Sequence, residues 1–351
     1  MNLLEAMSAE GHEQIVHFSD PGSALKCVVA IHSTALGPAI GGLRMWTYAQ
    51  EADAERAALE SSRAMTYKTA LAGLNLGGGK AVIIGDPEKD KSEALLRAFG
   101  RFINSLGRRF IVTDDVGTTV DDMDCIREET AHVLGVHPVH GGSGDPSSFT
   151  ALGTLHGIRA CLERRFGHAE IARASYAVQG VGGVGYHLVQ LLRAAGAKVF
   201  VADINQERVE QVVDETRTEA VPMHQIYDVD ATVFAPCAMG GVINEDTVPR
   251  LRCQIVAGGA SNQLESNECA TELERRGILY APDYAINAGG LMNLAVELEG
   301  YSDERARHRV SSIGRIMRRI FERARGDSIT SWQAADRLAE ERLLAVGQIR
   351  R

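Results

Sequence analysis

Several things are scarce or missing in this 351-residue chain. Positive charge is in deficit: 37 Lys and Arg stand against 46 Asp and Glu, a formal charge of −9. A chain that acidic is not built as a general nucleic-acid binder, because phosphate binding needs a basic surface. No apolar run approaches the roughly 18 residues that span a bilayer, so no membrane role is expected. The opening MNLLEAMSAEGHEQ has no basic n-region and carries early acids, so neither a secretory signal nor a transit peptide is expected. The six cysteines include no CxxC pair, which points to reduced thiols in a cytoplasm and not to a disulfide scaffold. The 11 histidines form no HExxH, and His137 and His140 have no partners at metal-ligand spacing, so no metal site is expected. There is no GxSxG elbow, no internal repeat and no low-complexity segment.

What is present reads as two domains, by the usual domain size. Residues 12–20, 25–33, 80–85 and 109–113 are short, β-branched runs that predict strands. Residues 51–71 and 90–106 predict helices, and Asp121-Asp122 opens another. A Gly/Ser/Pro-rich stretch at 135–148 is the candidate linker. Beyond Ser175 come five short runs apolar on both faces, most of them separated by helical stretches, which predict a buried parallel sheet covered on both sides. The expected fold class is therefore α/β, with two domains separated by a cleft. Domain one, 1–134, is a mixed α/β substrate-binding and oligomerisation domain; domain two, 148–327, is doubly wound and of Rossmann type. A charged helix at 331–351 closes the chain.

Gly180-Val181-Gly182-Gly183-Val184-Gly185 satisfies GxGxxG in the context that pattern requires: it follows a strand, opens a helix, and leads to a second strand ending at Asp203, 18 residues past Gly185. The first glycine serves the tight turn, the second lets backbone approach a pyrophosphate, and the third permits close helix–strand packing. Asp203 would accept hydrogen bonds from ribose hydroxyls and repel a 2′-phosphate, which favours NAD over NADP.

The second chemical signal is Gly77-Gly78-Gly79-Lys80, three glycines that are expected to abandon helix and strand alike. Lys68 lies 12 residues upstream of Lys80. Two ammonium groups sharing a cleft depress each other's pKa, and burial depresses it further, which yields a base usable near neutral pH. Asp114 and Asp115 follow an apolar strand and are candidates for a proton relay; helix capping is the alternative for either. A lone lysine is more often a solvated surface charge.

These residues resemble a known family. GPAIGGLRMW (37–46), the Lys68-to-GGGK spacing, DDVGTT (114–119), APCAMGGVIN (235–244) and ILYAPDYAINAGG (278–290) are similar to the amino-acid dehydrogenases of the leucine, valine and phenylalanine group, relatives of glutamate dehydrogenase, over nearly the whole chain. The resemblance implies NAD-dependent, reversible oxidative deamination of an L-amino acid to a 2-oxo acid and ammonium, by a homo-oligomer whose C-terminal helix packs back on domain one. It implies that Lys68 binds the substrate carboxylate, that Lys80 is the base activating water, and that Asp115 exchanges protons with the amino group. Gly41, Gly42 and Gly78 bring backbone close to the substrate. Thr150 and Asn262 hold the nicotinamide end, and Ala238 approaches the adenine-side ribose or pyrophosphate.

The family's side-chain pocket maps to Ile40, Thr113, Leu291 and Leu294. Its aliphatic bulk fills space that an aromatic ring would need, which favours leucine, isoleucine or valine. The same chemistry on phenylalanine or tryptophan is one alternative; an NAD-binding regulatory protein without catalysis is another, and core packing is the plain reading of the three aliphatic residues. Two positions depart from the family: Thr113 stands where leucine dehydrogenases carry Ala, which raises valine as a substrate, and Asp145 stands where Asn is expected.

Overall fold

The computed structural model describes residues 3–350, with side chains described through Gly347. The chain divides into two compact units, residues 1–145 with 294–303 and 339–351, and residues 146–293 with 304–338. These boundaries differ from those expected. The candidate linker belongs to the first unit through Asp145 because Glu297 ties it down, its carboxylate accepting from the backbone N–H of Gly135 at 3.1 Å and of Ser143 at 2.9 Å. The C-terminal helix starts in the second unit and joins the first only from Ala339.

The first unit is a five-stranded mixed sheet. Its strands are β1 (Gln14–Asp20), β2 (Leu25–Ser33), β3 (Ala39–Trp46), β4 (Gly77–Ile84) and β5 (Phe110–Asp114), in the order β1-β2-β4-β3-β5. β3 pairs in parallel with both β4 and β5, whereas β1–β2 and β2–β4 are antiparallel. The sequence expectation omitted β3, and it placed the glycine run outside any strand. Gly77–Gly79 in fact lie within β4, and the reason is steric. A Cβ on Gly77 would sit 1.9 Å from the Ser33 carbonyl oxygen, one on Gly78 2.1 Å from the Thr66 nitrogen, and one on Gly79 2.6 Å from the Phe110 ring. Glycine here lets β2, a helix and β5 close onto β4.

Helices cover both sheet faces. α1 (Leu3–Glu10) and α2 (Glu51–Leu71) lie on one; Ala54, Ala58 and Leu59 of α2 pack with Val28, Ala30 and Val82. On the other, α3 (Glu93–Ser105) buries Leu95, Leu96, Phe99, Phe102 and Ile103 against Val29, Ile31, Leu43 and Phe110. Burying one such side chain is worth about 1.5–3 kcal/mol. α4 (Val120–Arg127) follows β5 directly, its start fixed by a capping box between Thr119 and Asp122.

The second unit is a six-stranded parallel sheet. α5 (Ser147–Phe166) leads to β6 (Ser175–Gln179), α6 (Gly183–Ala194), β7 (Lys198–Ala202), α7 (Gln206–Thr216), β8 (Glu219–Ala220), β9 (Val233–Pro236), β10 (Ile255–Val256), α8 (Asn267–Arg275) and β11 (Leu279–Tyr280). The order β11-β10-β9-β6-β7-β8 reverses direction between β6 and β9, the switch point at which nucleotides bind outside the strand ends. α9 (Asp283–Ile286), α10 (Gly289–Glu297), α11 (Asp303–Ser311), α12 (Ile313–Asp327) and α13 (Ser331–Arg350) complete the chain. The latter part of α13 belongs to the first unit, where Arg342 donates to the Ala70 carbonyl at 2.9 Å and the Tyr67 hydroxyl donates to Glu340, also at 2.9 Å. No helix among the described residues is long and apolar enough to cross a membrane.

Candidate active site

The parallel trio β4-β3-β5 gathers most of the first unit's candidate residues. Register sets Ile40 beside Gly78 and Ile111, and Gly42 beside Thr113. The glycines of β3 are required by that closeness: a Cβ on Gly41 would sit 2.0 Å from the Gly79 carbonyl oxygen, and one on Gly42 would sit 2.7 Å from the Asp115 Cβ. Asp115 is thereby drawn in over the sheet, where its Oδ2 contacts the Lys80 ammonium. Its other oxygen accepts from the Val116 N–H at 2.7 Å, and Thr118 braces the turn by accepting from the Asp115 N–H and donating to the Leu43 carbonyl at 2.8 Å. The carboxylate is held at one end and offers the other end to Lys80.

Lys80 is 5% exposed. Burial, and then the Arg44 guanidinium, push its amine down to about 7, while the Asp115 carboxylate acts in the opposite sense. Arg44 is a residue the sequence reading passed over: it extends from β3, with Nη2 3.7 Å from Asp115 Oδ2. Lys68 lies in the last turn of α2, two residues after Thr66, whose backbone abuts Gly78. Thr66 also donates to the buried His32 Nδ1 at 2.9 Å, and His32 Nε2 donates to the Glu10 carbonyl at 3.0 Å; burial holds this ring neutral, down to about 4. The His32–Thr66 contact, unread in the sequence, fixes the helix beside the glycine strand.

Asp114 differs from its neighbour. Burial, with Asp145 and Glu297 nearby, raises its carboxyl to about 6, and its buried Oδ1 has no hydrogen-bond partner among the described residues. Among the pocket candidates, Ile40, Thr113 and Leu294 belong to the first unit and Leu291 to the second. All four are buried, at 0%, 5%, 5% and 7% exposure for Ile40, Thr113, Leu294 and Leu291. Among the described residues, the Thr113 hydroxyl makes one long contact of 3.4 Å, to the Asp114 carbonyl.

In the second unit the fingerprint glycines divide by what surrounds them. A Cβ on Gly180, which has φ +89°, would lie 2.7 Å from Ala238 Cβ, and one on Gly185 would lie 1.9 Å from the Gly180 carbonyl oxygen. At Gly182 the nearest atom among the described residues, apart from its own chain neighbours, is Arg208 Nη1, at 3.8 Å. Protein packing therefore demands glycine at the first and third positions, whereas the middle one opens onto free space, as close passage of a pyrophosphate requires. Gly183 and Val184 begin α6, whose N-terminus faces that space. Asp203 accepts from Val181 N–H at 2.7 Å and from Asn205 N–H at 2.8 Å, one on each oxygen. A carboxylate so fixed keeps lone pairs for ribose hydroxyls, so these residues fit a dinucleotide. Thr150 donates to the Pro146 carbonyl at 3.1 Å and packs against Gly290. Asn262 is exposed, with φ +53°, in a loop held by Asn287. The Cys237 thiol beside this loop is pushed up to about 12 by burial, which makes it inert.

A doubly wound parallel sheet with this glycine fingerprint and acid, in a chain that also carries a buried lysine paired with a carboxylate, defines a class: an oxidoreductase that uses a nicotinamide dinucleotide. The chain belongs to the Glu/Leu/Phe/Val dehydrogenase family. The model of that family's dimerisation domain matches residues 12–132, and that of the glutamate/leucine/phenylalanine/valine dehydrogenases matches 201–346. Leucine dehydrogenase of Thermoactinomyces intermedius is 51% identical, covering 98% of this chain and 94% of that protein. Valine dehydrogenase of Streptomyces coelicolor is 46% identical, covering 95% of this chain and 92% of that protein. Among solved structures, L-tryptophan dehydrogenase from Nostoc punctiforme superposes with a TM-score of 0.85 at 40% identity, covering 98% of this chain and 99% of that one.

Proposed function

We propose that the protein is an NAD-dependent dehydrogenase that reversibly deaminates branched aliphatic L-amino acids to 2-oxo acids and ammonium. The observation that carries the chemistry is the buried Lys80 held against Asp115. Substrate class is supported by leucine dehydrogenases 48–51% identical over at least 98% of the chain and by the aliphatic Ile40, Leu291 and Leu294.

In this reading Lys68 holds the substrate carboxylate as a point charge, and the backbone of Gly41, Gly42 and Gly78 lines the approach. Lys80 Nζ, about half neutral at pH 7, takes a proton from the water that adds to the oxidised α-carbon. Asp115 Oδ2 gives and takes protons at the substrate nitrogen. NAD, when bound, accepts the hydride. Gly180, Gly182, Gly183, Val184, Gly185, Ala238 and Asp203 would hold its adenosine half and pyrophosphate, and Thr150 and Asn262 its nicotinamide end. The description of residues 12–132 as a dimerisation domain supports a homo-oligomer. Six free cysteines support a reducing, cytoplasmic setting.

The test is formation of NADH, by its absorbance, with a panel of amino acids. Leucine, isoleucine and valine should exceed phenylalanine in kcat/KM by at least about tenfold. A preference for phenylalanine or tryptophan removes the pocket assignment, and no turnover with any amino acid removes the enzyme.

A further inference from the structure

We propose that Arg44 is a positioning residue for this reaction, holding the Asp115 carboxylate and keeping positive charge beside Lys80. The proposal rests on the acid–base reading of Lys80 and Asp115 given above. Arg44 leaves the middle strand of the parallel trio with its side chain one-third exposed, reaching over the sheet toward Asp115. Its Nη2 lies 3.7 Å from the same Asp115 oxygen that meets Lys80, so that one oxygen faces two cations. Its buried Nε has no hydrogen-bond partner among the described residues, so this nitrogen is not tied into the surrounding scaffold.

The arrangement has two consequences. The Asp115 carboxylate stays in place when Lys80 is neutral, because Arg44 still attracts it. Protonation of Lys80 is opposed by the neighbouring guanidinium, which keeps the base available. On the elements packed against β4, the other charged or titratable groups are Glu51, Asp53, Glu55, Arg56, Glu60, Arg63, Tyr67 and Lys68 on α2, Lys26, Cys27 and the neutral His32 on β2, and Asp114 at the end of β5 with Asp115 just beyond it; Tyr48, after β3, lies beside Arg44. Lys26 is the one cation among them on the sheet; it lies four residues before Ala30, the partner of Lys80 in β2, and faces Glu51 at 3.8 Å.

The experiment compares wild type, Arg44→Lys and Arg44→Gln in pH profiles of kcat/KM with leucine, alongside NAD affinity measured by protein fluorescence. Arg44→Gln should move the acid-side break of the profile upward by about half a unit or more and lower kcat at neutral pH about tenfold. Arg44→Lys should restore the break, and NAD affinity should stay within about twofold in both, because the fingerprint lies in the other unit. An unmoved break in Arg44→Gln, with activity lowered equally at every pH, overturns the proposal. If Arg44→Gln does not fold, Asp115→Asn is compared with Asp115→Asn/Arg44→Gln, which leaves no carboxylate without its partner. The proposal expects the two to be equally active above the acid-side break, with the break higher in the double variant because Arg44 then acts through Lys80 alone; a further loss above the break, or an unmoved break, overturns it. If the wild type turns over no amino acid, the acid–base reading itself fails, a result distinct from an unmoved break in an active enzyme.

Discussion

The position of Lys80 makes a quantitative demand on the pH profile. An ordinary lysine amine, at 10.5, is roughly 0.3% neutral at pH 8; one lowered to about 7 is about 90% neutral there and about 10% neutral at pH 6. If the neutral amine is the base, the slope of log kcat/KM against pH must drop by one near pH 7. The substrate's amino group adds its own dependence at higher pH, but it leaves that drop intact. The contribution of Lys80 should thus rise about tenfold between pH 6 and 8 and by only about a tenth above that. Initial rates with leucine and saturating NAD in a constant-ionic-strength buffer series measure it directly. The sign follows from cause: burial and Arg44 both disfavour the ammonium, so removing either raises the break. A slope that persists unchanged to pH 9 would refute the reasoning, for Lys80 would then be titrating as an exposed lysine does despite being 5% exposed.

Other outcomes follow from the same geometry. Lys80→Ala should abolish turnover yet leave NAD affinity nearly intact, as measured by fluorescence titration, because Lys80 and the fingerprint belong to different units. Asp203→Ala should raise the ratio of kcat/KM with NADP to that with NAD by relieving repulsion of the 2′-phosphate; it should also loosen the fingerprint turn, since the Val181 and Asn205 N–H groups lose charged acceptors worth roughly 1.5–3 kcal/mol each. Thr113→Ala should improve leucine relative to valine in kcat/KM at little cost in thermal stability, because among the described residues its hydroxyl makes one long contact. Ile40→Ala with Leu291→Ala should shift preference toward phenylalanine and lower the melting temperature, each truncation costing about 2–5 kcal/mol.

Legibility in the sequence followed the range over which each structural cause acts. The second unit was readable because its signals are local. GxGxxG, the following helix and Asp203 recur at a spacing set by one strand–helix–strand unit, and the buried parallel strands are continuous apolar runs. β3 escaped because its own punctuation argues against a strand: Gly37 and Pro38 precede it and Gly41-Gly42 interrupt it. The glycine run before Lys80 was misread for a related reason. Local propensity treats three glycines as a break, whereas three non-local neighbours, Ser33, Thr66 and Phe110, each forbid a Cβ there. Tertiary packing overrode propensity.

The same distinction separates the site residues. Lys80 and Asp115 came forward because each stands next to an unusual run, yet nothing in the sequence states that they touch. Contact depends on β3 lying between β4 and β5, with Gly42 bare enough for Asp115 to fold over it. Once β3 is placed there, the glycines of two parallel neighbours acquire distinct meanings: Gly42 removes a side chain so that Asp115 can fold over toward Lys80, while Gly77–Gly79 let Ser33, Thr66 and Phe110 close onto β4. Arg44 then ceases to be an ordinary strand residue. Two positions after Gly42, it projects from the same face of β3, the direction in which Asp115 lies. An alternation argument applied to β3 would have found it, had the strand been recognised.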